Sequence, residues 1–266
     1  MLANDTVESI LLIIASLVEF SITLAHGPRR KVVSDSLTNF SLGIGTVLIG
    51  LLEKGMALGV YSIFYAWSFI HFPQSPWLWL AAFLACDFVH YLYHWLGHRT
   101  KIFWAAHVAH HSSIHFNLSI GFRVNFFHLL YRFIFWAPLC LLGIPPQLIL
   151  FFESITAIHN FLIHTERIGK LGVLDLVFNT PSNHRVHHAS NPEYIDKNLG
   201  GILMLYDHLF GTFRREERPP VYGITHNIHT HNPLKILSHE YIRLTRELSG
   251  IKGLKAKLRY LVSPPK

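Results

Sequence analysis

Residues 87–115 read DFVHYLYHWLGHRTKIFWAAHVAHHSSIH and hold seven histidines in 29 positions. His90, His94 and His98 recur every fourth residue, so a helix places all three on one face. His107, His110 and His111 follow at i, i+3 and i+4, which is again one helical face. The apolar run from Trp77 to Val89 leads straight into the stretch. Imidazoles gathered where a chain leaves a membrane point to a metal site, and to more than one ion.

The rest of the chain has membrane character. Half of the 266 residues are hydrophobic and only 15% are charged, against about a quarter in soluble domains. The net charge of +7, among aromatic-rich apolar runs, suggests an anionic lipid surface as partner rather than nucleic acid. Cys86 and Cys140 both lie in apolar runs and form no CxxC, so neither a thiolate cluster nor a disulfide framework is expected.

Hydropathy predicts an all-α integral membrane protein with four to five crossing helices and a histidine-rich helical cap, read as one domain over 1–266. The first span is 7–25, carries Glu8 and Glu19, and reads as a retained helix rather than a removed signal. His26-Gly27-Pro28 ends it. The second apolar run, 37–70, is either one tilted helix or a span to Leu52 plus a further segment. Spans at 77–94, 126–142 and 147–163 follow, the last two as a hairpin turned at Gly143–Pro146. The cap comprises 95–125 and 164–233. Residues 234–262 read as an amphipathic helix, either packed on the cap or lying on anionic headgroups. Lysine and arginine avoid the loops at 71–76 and 143–147 and gather on the other side. That puts the cap on the cytoplasmic face, in a bacterial inner membrane rather than endoplasmic reticulum.

Two more elements extend the histidine set. His184, His187 and His188 repeat the HxxHH spacing, and His164 closes the hairpin with His159 about one turn deeper. A lone histidine near a span end, such as His26, His71 or His128, is ordinarily a satisfied polar residue. Three clustered sets on one side would bury many polar rings to no purpose unless they bind something. Imidazole suits zinc, copper, iron and nickel, and eight or more ligands imply two ions. The chain has no ExxH, HExxH, GxSxG or glycine-rich phosphate loop. A metal transporter or sensor is the rival class, but transporters place ligands near the bilayer midplane. A scaffold with one structural zinc is a second rival, which the intact set of histidines disfavours.

Taken together, HxxxH, HxxHH and HxxHH resemble the boxes of the fatty acid hydroxylase / sterol desaturase superfamily. The likeness covers about Asp87 to Phe213. Its flanks WAAHVAHHSS (104–113), IHTE (163–166), NTPSNHRVHHASNP (179–192), DKNLGG (196–201) and YDHLFGTF (206–213) resemble the ether-lipid monooxygenase branch, and residues 221–226 continue it. Arg99 stands where that branch has an acid. The resemblance implies a non-haem di-iron oxygenase that uses O2 to hydroxylate an unactivated C–H of a lipid. The substrate would be an ether lipid, a fatty acyl chain or a sterol-like molecule. The same boxes also serve lipid desaturases and sterol methyl oxidases. The first box then falls on His94 and His98. The implied ligands are His94, His98, His107, His110, His111, His184, His187 and His188, with His164 as a ninth. His90 and His159 are expected as ligands or as hydrogen-bond partners of ligands, His90 by preference as a partner. Asp87, Asp196, Asn198 and Asp207 are expected to orient rings. Asn117 and Arg123 are read as lipid-headgroup contacts, and His115 as outside the site. No nucleotide, haem or iron–sulfur motif is present. Electrons must therefore come from a separate reductase, ferredoxin or small haem protein, or from a reduced pterin. Nothing in the sequence sets the oligomeric state.

Overall fold

The computed structural model describes residues 2–25 and 30–265, with side chains from residue 11 onward. His26-Gly27-Pro28, expected to end the first span, lies outside them. The described chain is helical, with no strand and two isolated bridges, Phe178 to Leu203 and Ala189 to Tyr222. Four helices lead: α1 (Leu2–Ala25), α2 (Arg30–Ala66), α3 (Pro76–Arg99) and α4 (Lys101–His111). Short pieces follow: α5 (Phe126–Leu129) and α6 (Ala137–Leu141), with 3-10 turns at Leu118–Phe122 and Arg132–Phe135. Then come α7 (Pro146–Leu162), α8 (Leu174–Val177), α9 (Pro181–His187), α10 (Leu205–Phe210), α11 (Pro233–Gly250) and α12 (Leu254–Leu261).

The second apolar run is one uninterrupted helix. At 37 residues α2 is about 55 Å long, more than the ~30 Å hydrocarbon core of a bilayer. Its excess is polar: Asp35, Ser36, Thr38 and Asn39 are buried against the cap, while Ile44, Leu48, Leu51 and Leu52 are exposed. Among the described residues, α2 is the helix long and apolar enough by itself to cross a membrane. The core joins α2 (Ala57, Tyr61), α3 (Ala82, Cys86, Val89), the 126–141 stretch (Phe133, Trp136, Cys140) and α7 (Leu148, Ile149, Phe152).

Two expected helices are broken. The 126–142 run is α5, a 3-10 turn and α6 in succession. Pro138 sits in the first turn of α6, where it has no N–H to give to residue 134 and its ring would clash with that carbonyl. Arg132, within the run, is held to Glu53 of α2 by its Nε at 2.8 Å. The 234–262 helix is likewise two, separated at Ile251–Gly253, where Gly253 has φ +83. α11 packs on the cap: Ile236 joins Leu42 and Ala109, and Asn125 Nδ2 donates to the Leu237 carbonyl. α12 buries no residue.

Candidate metal centre

The centre is built from four elements. α3 and α4 form a tight corner at Thr100, whose extended backbone ends one helix and whose Oγ1 donates to the Leu96 carbonyl. The corner folds the second histidine face back over the first. His164 follows the C-terminal end of α7. α9 opens with Thr180 as N-cap and Pro181 in its first turn, and carries His184 and His187, with His188 at its end.

These elements bring nine histidines into two groups: His94, His98, His107, His111 and His187 in one, and His110, His164, His184 and His188 in the other. Within each group the candidate ligand nitrogens all lie within 4.8 Å of one another. His107 Nε2 is 3.0 Å from Nε2 of both His94 and His111. His164 Nε2 is 2.9 Å from Nε2 of His184, 3.1 Å from that of His110 and 3.2 Å from that of His188. Nε2 of His98 and of His187 is buried without a hydrogen-bond partner. A ring nitrogen carries at most one proton, so such convergence cannot be satisfied by hydrogen bonds alone. Nitrogens ~2.1 Å from a shared cation and at right angles about it would lie ~3 Å apart. The donor set and its spacing therefore fit metal ions.

Electrostatics agrees. Burial, reinforced by neighbouring imidazoles, holds His107, His110, His111, His184, His187 and His188 well below the usual histidine value. Burial also lowers His164, to about 4. Burial thus favours the neutral form of these seven rings, which keeps a lone pair available on each.

The outer nitrogens are fixed by the loop 196–203. His94 Nδ1 meets the Leu199 carbonyl at 2.9 Å and His187 Nδ1 the Lys197 carbonyl at 2.9 Å. A proton held on Nδ1 by a carbonyl leaves Nε2 free as a ligand. Asp196 approaches His98 Nδ1 at 3.4 Å and also holds Arg99 at 3.5 Å, which accounts for the basic residue after the first box. The other three polar candidates touch no ring of either group and act through the loop. Asp207 accepts from the amides of Leu199 (2.8 Å) and Gly200 (2.7 Å), and Asp87 from those of Ile202 (2.8 Å) and Leu203 (3.2 Å). Asn198, at φ +54, spans Asn183 and Arg214 with its side chain. A Cβ on Gly201 would lie 2.7 Å from Asp87 Oδ1, so the loop has room only for glycine there.

His90 and His159 fall outside both groups. His159 Nε2 faces the Asn179 carbonyl at 2.8 Å, and His90 Nε2 faces Asn160 Nδ2 at 3.3 Å. His128 stacks on Tyr93, and His115 stands apart from the site.

The headgroup reading of Arg123 is corrected. Arg123 is 1% exposed, and its donors go to Asp35, Asn39, Ser112 and the Ala109 carbonyl. It therefore clamps the end of α4 at Ala109 and Ser112, on either side of His110 and His111, and its burial closes it to a lipid headgroup. Asn117 caps the 3-10 turn by accepting from the Ser119 amide and hydroxyl. Sequence reading noted Glu19 but gave it no role; its carboxylate accepts from the Leu118 amide and from Thr165, both at 2.6 Å. An acid inside an apolar run was the available signal.

A cavity of about 350 Å³ opens on the two groups. His94, His107, His110, His164 and His184 form one end, and aromatic and aliphatic side chains such as Phe122, Trp136 and Leu150 form the walls. Phe116, buried, packs over His164 and His188 and stacks on Tyr222, which shields the second group from solvent.

Comparison with known proteins adds relatives to this geometry. A family model described as fatty acid hydroxylase matches residues 79–212. Alkylglycerol monooxygenase of Homo sapiens is 38% identical over 237 residues, 88% of this chain and 53% of the human protein. The Danio rerio protein of the same name is 37% identical over 90% of this chain and 54% of its own length. An ornithine lipid hydroxylase of Rhizobium tropici is 34% identical over 50% of this chain and 40% of its own. The chain thus spans about half the length, or less, of these relatives. No solved structure matches.

Proposed function

The chain belongs to the fatty acid hydroxylase family, and from that premise we propose that it is a membrane-bound di-iron oxygenase. It hydroxylates an unactivated C–H of a lipid with O2 and external electrons. The observation that carries this reading is the convergence of nine histidines into two groups at the end of an apolar cavity. The group of five would hold one iron and the group of four the other. The ions, when bound, supply the redox chemistry that places one oxygen atom of O2 in the C–H bond while the other leaves as water.

The chain's own residues set the conditions for that chemistry. Loop 196–203 keeps His94 and His187 in the tautomer that exposes Nε2, and Asp196 does the same for His98. Phe116 and Tyr222 keep water from the second group. The cavity wall lays an aliphatic chain against the histidine end. The names of the relatives, an alkylglycerol monooxygenase and an ornithine lipid hydroxylase, support a substrate that joins a polar head to a long chain.

The family is membrane-bound. We place the cap on the cytoplasmic side of several crossing helices, supported by the lysine and arginine distribution. A reductase, ferredoxin or small haem protein would dock on this basic face, with a reduced pterin as the alternative electron source.

The test is metal analysis of protein expressed with ample iron, together with O2 consumption on a lipid extract. We expect about two irons per chain and O2-dependent lipid oxidation. A single tightly held zinc with no iron would overturn the proposal.

A further inference from the structure

The cavity is not apolar throughout: Glu53, Lys54, Arg132 and Glu153 line it among the aromatic and aliphatic side chains. Glu153, on α7, is 8% exposed and lines the cavity. Its Oε2 accepts from the Tyr61 hydroxyl at 2.9 Å, but its Oε1 is buried with no hydrogen-bond partner. The nearby guanidinium does not close this gap. Arg132 gives Nε to Glu53 Oε1 at 2.8 Å and Nη2 to Glu53 Oε2 at 3.4 Å, and no hydrogen bond from it reaches Glu153 Oε1. A buried carboxyl oxygen without a donor is costly, and ionisable residues in apolar spans mark ligand sites more often than packing sites. From Glu153 to the end of α7 at Leu162 is about 13 Å along the helix axis, and His164 lies just beyond.

We propose that the Glu153 carboxyl is the anchor of a second, polar subsite, which accepts a hydrogen bond from a small donor group, hydroxyl or ammonium, on a lipid in this cavity. The anchored group lies roughly 13 Å along α7 from Leu162, next to which His164 follows, so the anchor selects which part of the chain meets the metals. The inference rests on the reading of the cavity as the lipid site of the oxygenase. It concerns binding alone, so it can fail or stand separately from oxidation.

The experiment uses the full chain in lipid nanodiscs, zinc-loaded and under argon so that no turnover occurs. Equilibrium binding of radiolabelled hexadecanol, hexadecyl methyl ether and hexadecylamine is compared between wild type, E153Q and E153L. Wild type is expected to bind the alcohol or the amine at least tenfold more tightly than the ether, which has the chain but no donor. E153L is expected to reduce alcohol and amine to the level of the ether while ether binding stays unchanged. E153Q, which keeps an acceptor, retains alcohol binding better than E153L does. Preference for the amine, lost in E153Q, assigns the donor as ammonium; preference for the alcohol assigns it as hydroxyl. Equal binding of all three by wild type overturns the proposal, and this comparison does not depend on the variants folding. Undiminished alcohol and amine binding in a folded E153L also overturns it. If wild-type protein binds the alcohol selectively but iron-loaded protein oxidises no lipid, the subsite stands and the oxygenase reading falls.

Discussion

At the scale of single residues, the histidines were the legible part of the site. The spacing of the boxes and the family likeness singled out nine rings, and the fold gathers those nine into two groups. His90 was harder to place, because spacing by four puts it on the same face as His94; only the fold shows it turned to Asn160. The division into groups makes a distinct prediction. His187→Ala should lower iron content to about one per chain by emptying the group of five, and His110→Ala by emptying the group of four. Both should abolish lipid oxidation and leave membrane insertion unchanged, as read by metal analysis, an activity assay and membrane fractionation. Retention of most activity by either variant would refute the assignment. A partly buried ion pair gives a second prediction. Burial alone would raise Glu216, but hydrogen bonds from Arg185 and Ser182 outweigh it and hold the acid below its ordinary value of 4.5. The folded form favours the carboxylate, so the contribution is complete above about pH 4.5 and is lost as pH falls through the lower folded value. Glu216→Gln should cost about 2 kcal/mol at pH 7, and its melting curve should converge with that of wild type in strong acid.

At the scale of elements, the loop 196–203 was only partly legible. The sequence offered Asp87, Asp196, Asn198 and Asp207 as partners of the rings, but only Asp196 approaches one. Asp87 and Asp207 act through backbone amides of the loop, those of Asp87 more than a hundred residues away, and Asn198 through Asn183 and Arg214, contacts that ring-partner reasoning does not reach. Asp207→Ala frees the Leu199 and Gly200 amides, so the Leu199 carbonyl loses its fixed position against His94. We expect a ten- to hundredfold loss of metal affinity with the metal still able to bind, measured by competition with a chelator. Unchanged affinity in a folded Asp207→Ala would show that the loop carbonyls do not tune the rings. The broken helix at 126–141 was illegible for another reason. Its hydropathy is that of a span, and only Pro138 and the pull of Glu53 on Arg132 divide it. Hydropathy counts transfer energy and is blind to both.

At the scale of the whole molecule, the chain combines a helix far longer than a bilayer with a cap folded onto one of its ends. Arg123 joins the two: it ties Asp35 and Asn39 of α2 to Ser112 and the Ala109 carbonyl of the second histidine box. Asp35 also accepts from Ser113 at 2.5 Å. The polar start of α2 therefore belongs to the metal centre, and the remainder of the helix points away from it through apolar surroundings. A cap fixed in this way cannot lie on the opposite side of the membrane from the N-terminal end of α2. The basic residues of the cap and of the C-terminal segment, Lys252, Lys255, Lys257 and Arg259 among them, then decide the side. A green fluorescent protein fused after the last residue should fluoresce in bacterial cells, and alkaline phosphatase at the same position should be inactive. Fusions in the turn at 143–145, between α6 and α7, should give the opposite pattern. Active phosphatase at the C-terminus would put the cap outside. The electron donor would then have to be extracytoplasmic, and the proposed docking of a reductase or ferredoxin on the basic face would fail with the topology.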